Sequence, residues 1–436
     1  MTLIDFGVDG VLDIKWIRNH PDIVKSNLEK RGATEKLAML NELIEHDKRW
    51  RQLLTKLNEL RHKMNVITSE IAHIKKLGGD ASGKIEEVRG VSKQIEELED
   101  QVSECRAKVD YILLRLPNLL HESVPIGKDE TDNVPIRVWG EIPRFDFQVM
   151  DHIDLGLRLD IMDIERAAKV SGARFYYLKN EAVMLDVALM NFALGELEKR
   201  GYVPIEPPFM MRRRPYEGVT DLGGFEEMLY KVEGEDLYLI ATSEHPIAAM
   251  FMDEVLDANE LPLRYVGVSA CFRREAGAHG RDTRGIFRTH QFNKVEQFIF
   301  CKPEQSWEMH EELIGNAEEI VQKLGLPYRI VNVCTGDIGT VAAKKYDLEV
   351  WMPAQNQYRE IISCSNCTDY QARRLNARYR EGMGRPPRGF VHTLNSTAIA
   401  TGRTIVAILE NYQQRDGSVI IPEVLRPFMG GIERIG

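Results

Sequence analysis

Beginning at Trp50, apolar residues recur at Leu53, Leu57, Leu60, Met64, Ile67, Ile71 and Ile74, in steps of three and four. A helix with such a seam can bury it only against another helix. The pattern breaks at Gly78, Gly79, Asp80 and Gly83, then resumes at Ile85, Val88, Ile95, Leu98, Val102, Cys105, Val109, Ile112 and Leu116, with Ser92 as its polar member. Two long helices joined by a glycine turn must fold back on each other as an antiparallel coiled coil. Each helix of about 33 residues reaches about 50 Å at 1.5 Å per residue, so the pair is expected to project as an arm.

A seam alone fits a dimerisation or spacer element as well as a binding arm, and the charges shift the balance. Between Glu45 and Leu77 the basic residues Lys48, Arg49, Arg51, Lys56, Arg61, Lys63, Lys75 and Lys76 face only Glu45, Asp47, Glu59 and Glu70. The return helix is mildly acidic and the whole chain carries a net charge of −10. One positive face on an acidic protein is therefore expected, with Lys48, Arg51, Lys56, Arg61, Lys63, Lys75 and Lys76 as candidates to meet phosphate. A composition with 43 % apolar and 28 % charged residues excludes a disordered chain or a wholly basic nucleic-acid coat.

The length of 436 residues permits two to four domains. The boundary is expected after the arm, giving an N-terminal domain over 1–117 and a second domain over 118–436. Pro117, Pro125, Pro135 and Pro143 mark a linker with short extended pieces. Beyond it, helical periods such as Val187 to Leu197 mix with period-2 runs such as Tyr265 to Phe272 and Ile286 to Phe300. Without regular strand-helix alternation, this predicts an α+β domain on a largely antiparallel sheet. Six scattered cysteines, an N-terminus with Asp5, Asp9 and Asp13 instead of basic residues, and no apolar run of about 18 residues point to a reduced, cytoplasmic protein with no membrane partner.

Phosphate-binding loops of the Walker A and GxGxxG kinds are absent, as are GxSxG and HExxH. The informative segment is VSACFRREAGAHGRDTRGIFRTHQFNKVEQFIF, Val268 to Phe300, which reads as a long hairpin around a loop with Gly277, Gly280 and Gly285. Period 2 places Arg288, His290, Phe292, Lys294 and Glu296 on one face of the second strand. A phenylalanine between cations suits a purine stacked on its ring with phosphates nearby, although a solvated strand face is the commoner source of such patterns. In TLNSTAIATGRTIVAILENY, Thr393 to Tyr412, Thr393, Asn395 and Thr397 alternate on a strand before Ile405, Ile408, Leu409 and Tyr412 follow a helical stripe. Gly402 and Arg403 fall at the junction, where an arginine meets either an anionic phosphate or a carboxylate such as Glu410.

FRREAG, Phe272 to Gly277, with the hairpin and the TGR helix, resembles motifs 2 and 3 of the class II aminoacyl-tRNA synthetases. RTHQFNKVEQ, SCSNCTDYQARR, TLNSTAIATGRT and DIERAAKVSGARFYYL resemble the seryl-tRNA synthetases in particular, and the similarity runs from about Leu12 to Met429. The resemblance implies a tRNA-binding N-terminal arm, an antiparallel-sheet catalytic domain of the class II type, and a homodimer whose motif 1 proline is Pro208. It implies serine ligands at Thr242, Ser243, Glu244, Arg273, Glu296, Asn395 and Thr397. It implies ATP contacts at Arg273, Arg274, Glu275, Arg288, Thr289, Phe292, Glu360, Ile361, Ile362, Ser363 and Arg403, with Arg273, Glu275 and Arg403 catalytic and Mg²⁺ held through ATP by Glu360 and Ser363. The partners implied are serine, ATP and the serine tRNA through its long variable arm; whether the selenocysteine tRNA is also a substrate stays open. Arg274, the apolar pair Ile361 and Ile362, and Gly402 depart from residues common in the family, and none removes a charge the chemistry needs.

Elementary chemistry agrees with what the resemblance implies. Amino-acid activation requires a carboxylate to attack an α-phosphate in line, so arginines and Mg²⁺ suffice without a side-chain nucleophile. A pocket that hydrogen-bonds the serine hydroxyl rejects alanine by roughly 10⁴ to 10⁵. Cys364 and Cys367 form a CxxC with no second pair at ligand spacing, so no zinc is expected. Prolyl, threonyl and histidyl relatives append a domain after motif 3, for which the residues beyond Arg403 are too few. A non-catalytic paralogue that binds RNA or a protein partner would predict the loss of Arg273 or Arg403, and a carrier-protein ligase would lack the arm.

Overall fold

The computed structural model describes residues 13–275, 282 and 284–436; the first eleven residues and two of the hairpin glycines, Gly277 and Gly280, lie outside the described residues. The chain divides into two compact units, Leu12–Leu116 and Pro117–Gly436.

The first unit is helical: α1 (Ile14–Asn19), α2 (Pro21–Lys30), α3 (Thr34–Lys76) and α4 (Ser82–Leu113). Gly78, at a φ of +74°, turns the chain between the long helices, which pack along the expected seam. Leu57, Ile67, Val91 and Ile95 are its buried centre, flanked by Leu60, Met64, Ile71, Val88, Leu98 and Val102. Three details differ from the sequence reading. The first helix has 43 residues, because the seam continues upstream of Trp50 through Asp47, Leu43 and Leu40. Asp47 interrupts the apolar pattern yet is only 2 % exposed, since Arg18 of α1 grips both carboxylate oxygens at 2.7 and 2.8 Å and Arg51 adds a third bond at 3.0 Å. In α4 the seam position belongs to buried Val91, while Ser92 is exposed and Gly83 lies within the helix.

The positive face of α3 is also partly neutralised by its partner. Arg61 pairs with Glu99 at 2.6 Å and Lys63 with Glu87 at 3.2 Å across the coiled coil. Lys48, Lys56, Lys75 and Lys76 are exposed and make no ion pair among the described residues.

The second unit is built on eight strands: β1 (Val134–Trp139), β2 (Val203–Ile205), β3 (Leu263–Phe272), β4 (Gln291–Cys301), β5 (Tyr328–Asn332), β6 (Lys344–Met352), β7 (Gln357–Asn366) and β8 (His392–Ala400). Their spatial order is β1-β5-β6-β7-β8-β4-β3-β2, antiparallel throughout except for the β2/β3 edge. This is the predicted α+β architecture. Pro135, read within a linker with short extended pieces, lies in edge strand β1 beside a register shift, where a missing N–H is tolerated.

Helices α5 (Glu181–Glu198), α6 (Ser306–Lys323) and α7 (Thr401–Tyr412) cover one face of the sheet. Leu189, Leu313, Ile320, Ile405 and Ile408 meet Val295, Ile299, Leu348, Ile362 and Leu394 in the main core. Because side chains alternate along β4, Phe298 and Phe300 point to the opposite face and join Tyr216, Tyr238 and Ile240 in a second core. The same opposite face continues as the floor of the functional cleft.

Asp47→Ala should loosen the junction of α1 with α3 by about 1 to 3 kcal/mol, because the Arg18 guanidinium loses its charge-assisted partner. Asp47→Leu, which extends the apolar seam, should cost less. Hydrogen exchange of peptides spanning residues 40–55 reads both, and equal protection in wild type and the alanine variant would contradict the assignment.

Candidate functional site

A cleft of about 430 Å³ opens on the sheet face away from the helix layer. Its floor is β4, where Phe292, Lys294 and Glu296 point the same way as the period-2 pattern requires. β8 contributes Asn395 and Thr397, and a bulge at Ala398 then turns Ala400 to the cleft as well.

β7 shows why strand parity alone could not find its part of the site. Glu360 and Ser363 are three residues apart and would project to opposite faces of a regular strand. Leu348 of β6 pairs with Ile362 and its neighbour Glu349 with Glu360, so Ile361 is an extra, bulged residue. The bulge brings Glu360 and Ser363 to the same cleft.

The walls come from segments that the sheet orients. Arg273 follows the end of β3; its Nε donates to the Ala241 carbonyl at 3.3 Å and its guanidinium lies 5.2 Å from the Phe292 ring centre. Arg403 sits in the first turn of α7, pairing with the Glu360 carboxylate at 3.2 Å and donating to its carbonyl at 3.0 Å. Its partner is therefore Glu360; Glu410 is buried and accepts from the Ala354 N–H. The chain enters β4 through Gly285, at a φ of +79°, where a Cβ would lie 2.1 Å from His152 Nε2; that nitrogen accepts the Ile286 N–H at 3.3 Å. The remaining wall, residues 338–342, is tied to the start of this unit: the Asn118 amide donates to the carbonyls of Val341 at 3.0 Å and Cys367 at 2.8 Å.

Glu275 is buried at a φ of +48°, a conformation costly for a residue with a Cβ. Its carbonyl accepts from Arg174 at 2.8 Å, and its carboxylate lies 3.5 Å from Arg288.

The carboxylates are arranged around one buried cation. Lys294 Nζ is 2.7 Å from Glu296, whose Oε2 also accepts the Thr397 hydroxyl at 3.0 Å. Burial, followed by repulsion from Glu296, pushes Glu244 up to about 7, with Lys294 and a bond from Gln371 opposing. Burial and then the charges of Lys294 and Arg273 press His245 down to about 3, so it is a neutral imidazole bonded to the Tyr216 hydroxyl at 3.0 Å. Burial works against the charge of Glu360 too, yet Arg403, Lys345 and Arg273 outweigh it and hold that carboxyl below its ordinary range.

Thr242, Glu244, Arg273, Glu275, Arg288, Thr289, Phe292, Glu296, Glu360, Ile361, Ser363, Asn395, Thr397 and Arg403 thus line one cleft. Ser243 does not: its buried hydroxyl packs against Gly267 and has no hydrogen-bond partner among the described residues. Arg274 is exposed and Ile362 belongs to the helix-side core. Arg288 and His290 precede β4, and the His290 ring is engaged by the Tyr230 hydroxyl at 2.9 Å. Cys364 is in the core and Cys367 accepts from Asn395 at 3.6 Å; among the described residues no three His, Cys, Asp or Glu side chains converge as a metal-holding group. Phe287 and the 338–342 wall escaped sequence reasoning, Cys367 was read only as half of a CxxC, and Lys294 read as one more polar residue on an alternating face.

Residues 11–120 match the family described as seryl-tRNA synthetase N-terminal domain, and residues 229–412 match the tRNA synthetase class II core domain (G, H, P, S and T). The serine–tRNA ligase of Methanocella arvoryzae is 56 % identical over 423 residues, covering 97 % of this chain and 100 % of that protein. The solved seryl-tRNA synthetase of Pyrococcus horikoshii complexed with ATP aligns with a TM-score of 0.93 at 52 % identity, over 98 % of this chain and 99 % of the other. The cytoplasmic serine-tRNA ligase of Naegleria fowleri in complex with AMP aligns with a TM-score of 0.86 at 41 % identity, with the same coverage.

Lys294→Met should raise the Glu244 midpoint by one pH unit or more, since removing a nearby cation disfavours the second carboxylate. Carbon-13 NMR titration of the side-chain carboxyl groups measures this. A midpoint unmoved from about 7 would show that Lys294 does not balance the pair.

Proposed function

The chain belongs to the seryl-tRNA synthetases, a family of class II aminoacyl-tRNA synthetases, and from that premise we propose how its cleft carries out the reaction. It is a serine–tRNA ligase that uses ATP: serine and ATP give seryl-adenylate and pyrophosphate, and the seryl group passes to the 3′ end of tRNA. The observation that carries the residue-level reading is the convergence of three arginines, Arg273, Arg288 and Arg403, with the Glu244 and Glu296 carboxyl groups in one cleft.

Serine lies at the carboxylate end. Its ammonium meets Glu244, with Thr242 beside it, and its hydroxyl bonds Glu296 and Thr397. Asn395 closes the pocket, and discrimination against threonine rests on excluding its extra methyl group. The serine carboxylate is drawn to Arg273, which also reaches the α-phosphate and so brings two anions together. Adenine stacks on Phe292, which already carries the Arg273 guanidinium near its ring. Arg288 and Arg403 take the distal phosphates, and Glu275 fixes Arg288.

A carboxylate oxygen of serine bonds to the α-phosphorus while the bond to the bridging oxygen breaks, and pyrophosphate leaves with that electron pair. A ribose hydroxyl of tRNA then attacks the acyl carbon and AMP departs. Arginines held by the fold stabilise charge on the phosphoryl group without reorganising.

The donor set also fits Mg²⁺ bound with ATP. Glu360 and Ser363 are hard oxygen donors on one face, and across from Ser363 the buried Asp347 Oδ1 has no hydrogen-bond partner among the described residues. Glu360 and Ser363 would hold the ion, which when bound neutralises phosphate charge.

The arm is read as the contact for the long variable arm of serine tRNA, with Lys48, Lys56, Lys75 and Lys76 as its unpaired cations and Arg51, Arg61 and Lys63 giving up ion pairs to bind. The homodimer is supported by α5, which exposes Val183, Met184 and Val187 at 43 %, 44 % and 41 % although the rest of the helix is mostly buried. No described helix is long and apolar enough to cross a membrane, and the cytoplasm is the compartment we assign.

Serine-dependent ATP–pyrophosphate exchange, with alanine and threonine as controls, tests the activity. Arg273→Ala should reduce it at least about 100-fold, roughly 2.7 kcal/mol of barrier. Exchange within about threefold of wild type would refute the role of Arg273. Replacing Thr55 to Val109 by a short flexible linker should spare exchange but cripple tRNA charging. Equal charging by both proteins at sub-saturating tRNA would make the coiled coil a spacer.

A further inference from the structure

Beside the cleft lies a second cavity of about 720 Å³. The two share Phe287, Arg288, Glu360 and Arg403, and none of the serine-side residues Thr242, Glu244, Glu296, Asn395 and Thr397 reaches the second one. The annexe therefore adjoins the end of the cleft opposite the nucleophile. In-line displacement at the α-phosphorus expels the leaving group in that direction.

Arg359 stands at the junction. Its guanidinium lies 4.3 Å from the centre of the Phe287 ring, on which Arg403 also rests at 5.1 Å. Its side chain is only 16 % exposed; Nη2 donates to Asp282 at 2.5 Å and Nη1 to Gln355. Further out, Arg329 pairs with Glu349 at 2.5 Å and lies 5.0 Å from the centre of the Tyr358 ring. An arginine held by one carboxylate still has donors to offer, in a planar array that matches phosphate oxygens. The acidic partners hold the arginines in place when the annexe is empty and weaken its grip when it is full, as suits a product that must depart.

We propose that the annexe receives pyrophosphate as it leaves the α-phosphorus, with Arg359 as its first contact and Arg329 as a second, outer one. The proposal rests on the amino-acid activation described above. The step consumes no proton and no co-reactant: the phosphorus bond to the bridging oxygen breaks, and that oxygen leaves with pyrophosphate as its charge moves from Arg288 and Arg403 towards Arg359. In the reverse direction, pyrophosphate entering from solvent meets Arg359 before it reaches the adenylate.

The test is ATP–pyrophosphate exchange by the full chain with pyrophosphate varied at saturating serine and ATP. Arg359→Gln should raise the KM for pyrophosphate about tenfold or more with the serine KM within about twofold, and Arg359→Lys should recover to within about threefold of wild type. A pyrophosphate KM within about twofold of wild type, or equal rises for pyrophosphate and serine, would overturn the proposal. If circular dichroism shows Arg359→Gln to be unfolded, Arg329→Gln takes its place: a rise of about threefold supports the annexe and an unchanged KM overturns it. A wild-type protein without serine-dependent exchange would refute the activation reading instead. Calorimetric titration of inorganic pyrophosphate then decides the annexe separately, with about tenfold weaker binding to Arg359→Gln supporting it and equal binding overturning it.

Discussion

The site depends on one buried cation. Glu244 and Glu296 line one cleft, Glu296 only 1 % exposed, and two carboxylates brought together disfavour each other's ionisation. Lys294 lies 2.7 Å from Glu296, while burial pushes Glu244 up to about 7, near its midpoint at neutral pH. In the reading proposed above, the pocket is completed by a ligand that brings its own ammonium, which would distinguish an amino acid from other small hydroxyl compounds.

Strand geometry makes that arrangement possible, and it also explains what the sequence could reveal. Alternation along β4 put Phe292, Lys294 and Glu296 together on paper and does so in the fold. It overreached by starting the strand at Ile286, because Arg288 and His290 belong to the entering segment, where His290 is held by Tyr230 instead of facing the cleft. No periodicity could place Glu360 beside Ser363, since their spacing has the wrong parity until Ile361 bulges out. The resemblance to a known family named both residues; the bulge supplies the physical reason both reach the same cleft. Wall residues 338–342 were silent for a different reason. They act through backbone position, fixed by Asn118 from more than 200 residues earlier in the chain.

The arm was the most legible element, because a heptad seam admits few alternatives. Its errors came where charge substitutes for apolar contact. Asp47 occupies a seam position as a buried carboxylate, and only its partner Arg18, in a separate helix, makes that tolerable. Counting charges on α3 likewise overstated the positive face, since Glu99 and Glu87 of α4 reach back to Arg61 and Lys63. The lysines near the turn and along α3 that make no ion pair among the described residues are the ones on which the proposed phosphate contact rests, and screening by salt acts on them first.

The most direct test of the account is the proton balance of serine binding, measured by titration calorimetry in buffers of different ionisation enthalpy. If the serine ammonium docks on Glu244, binding must ionise that carboxyl. Release should approach one proton per serine below the Glu244 midpoint of about 7 and fall towards zero above about pH 8. Serine binding with no proton release between pH 6 and 7, or release independent of pH, would contradict the assignment of the carboxylate pair.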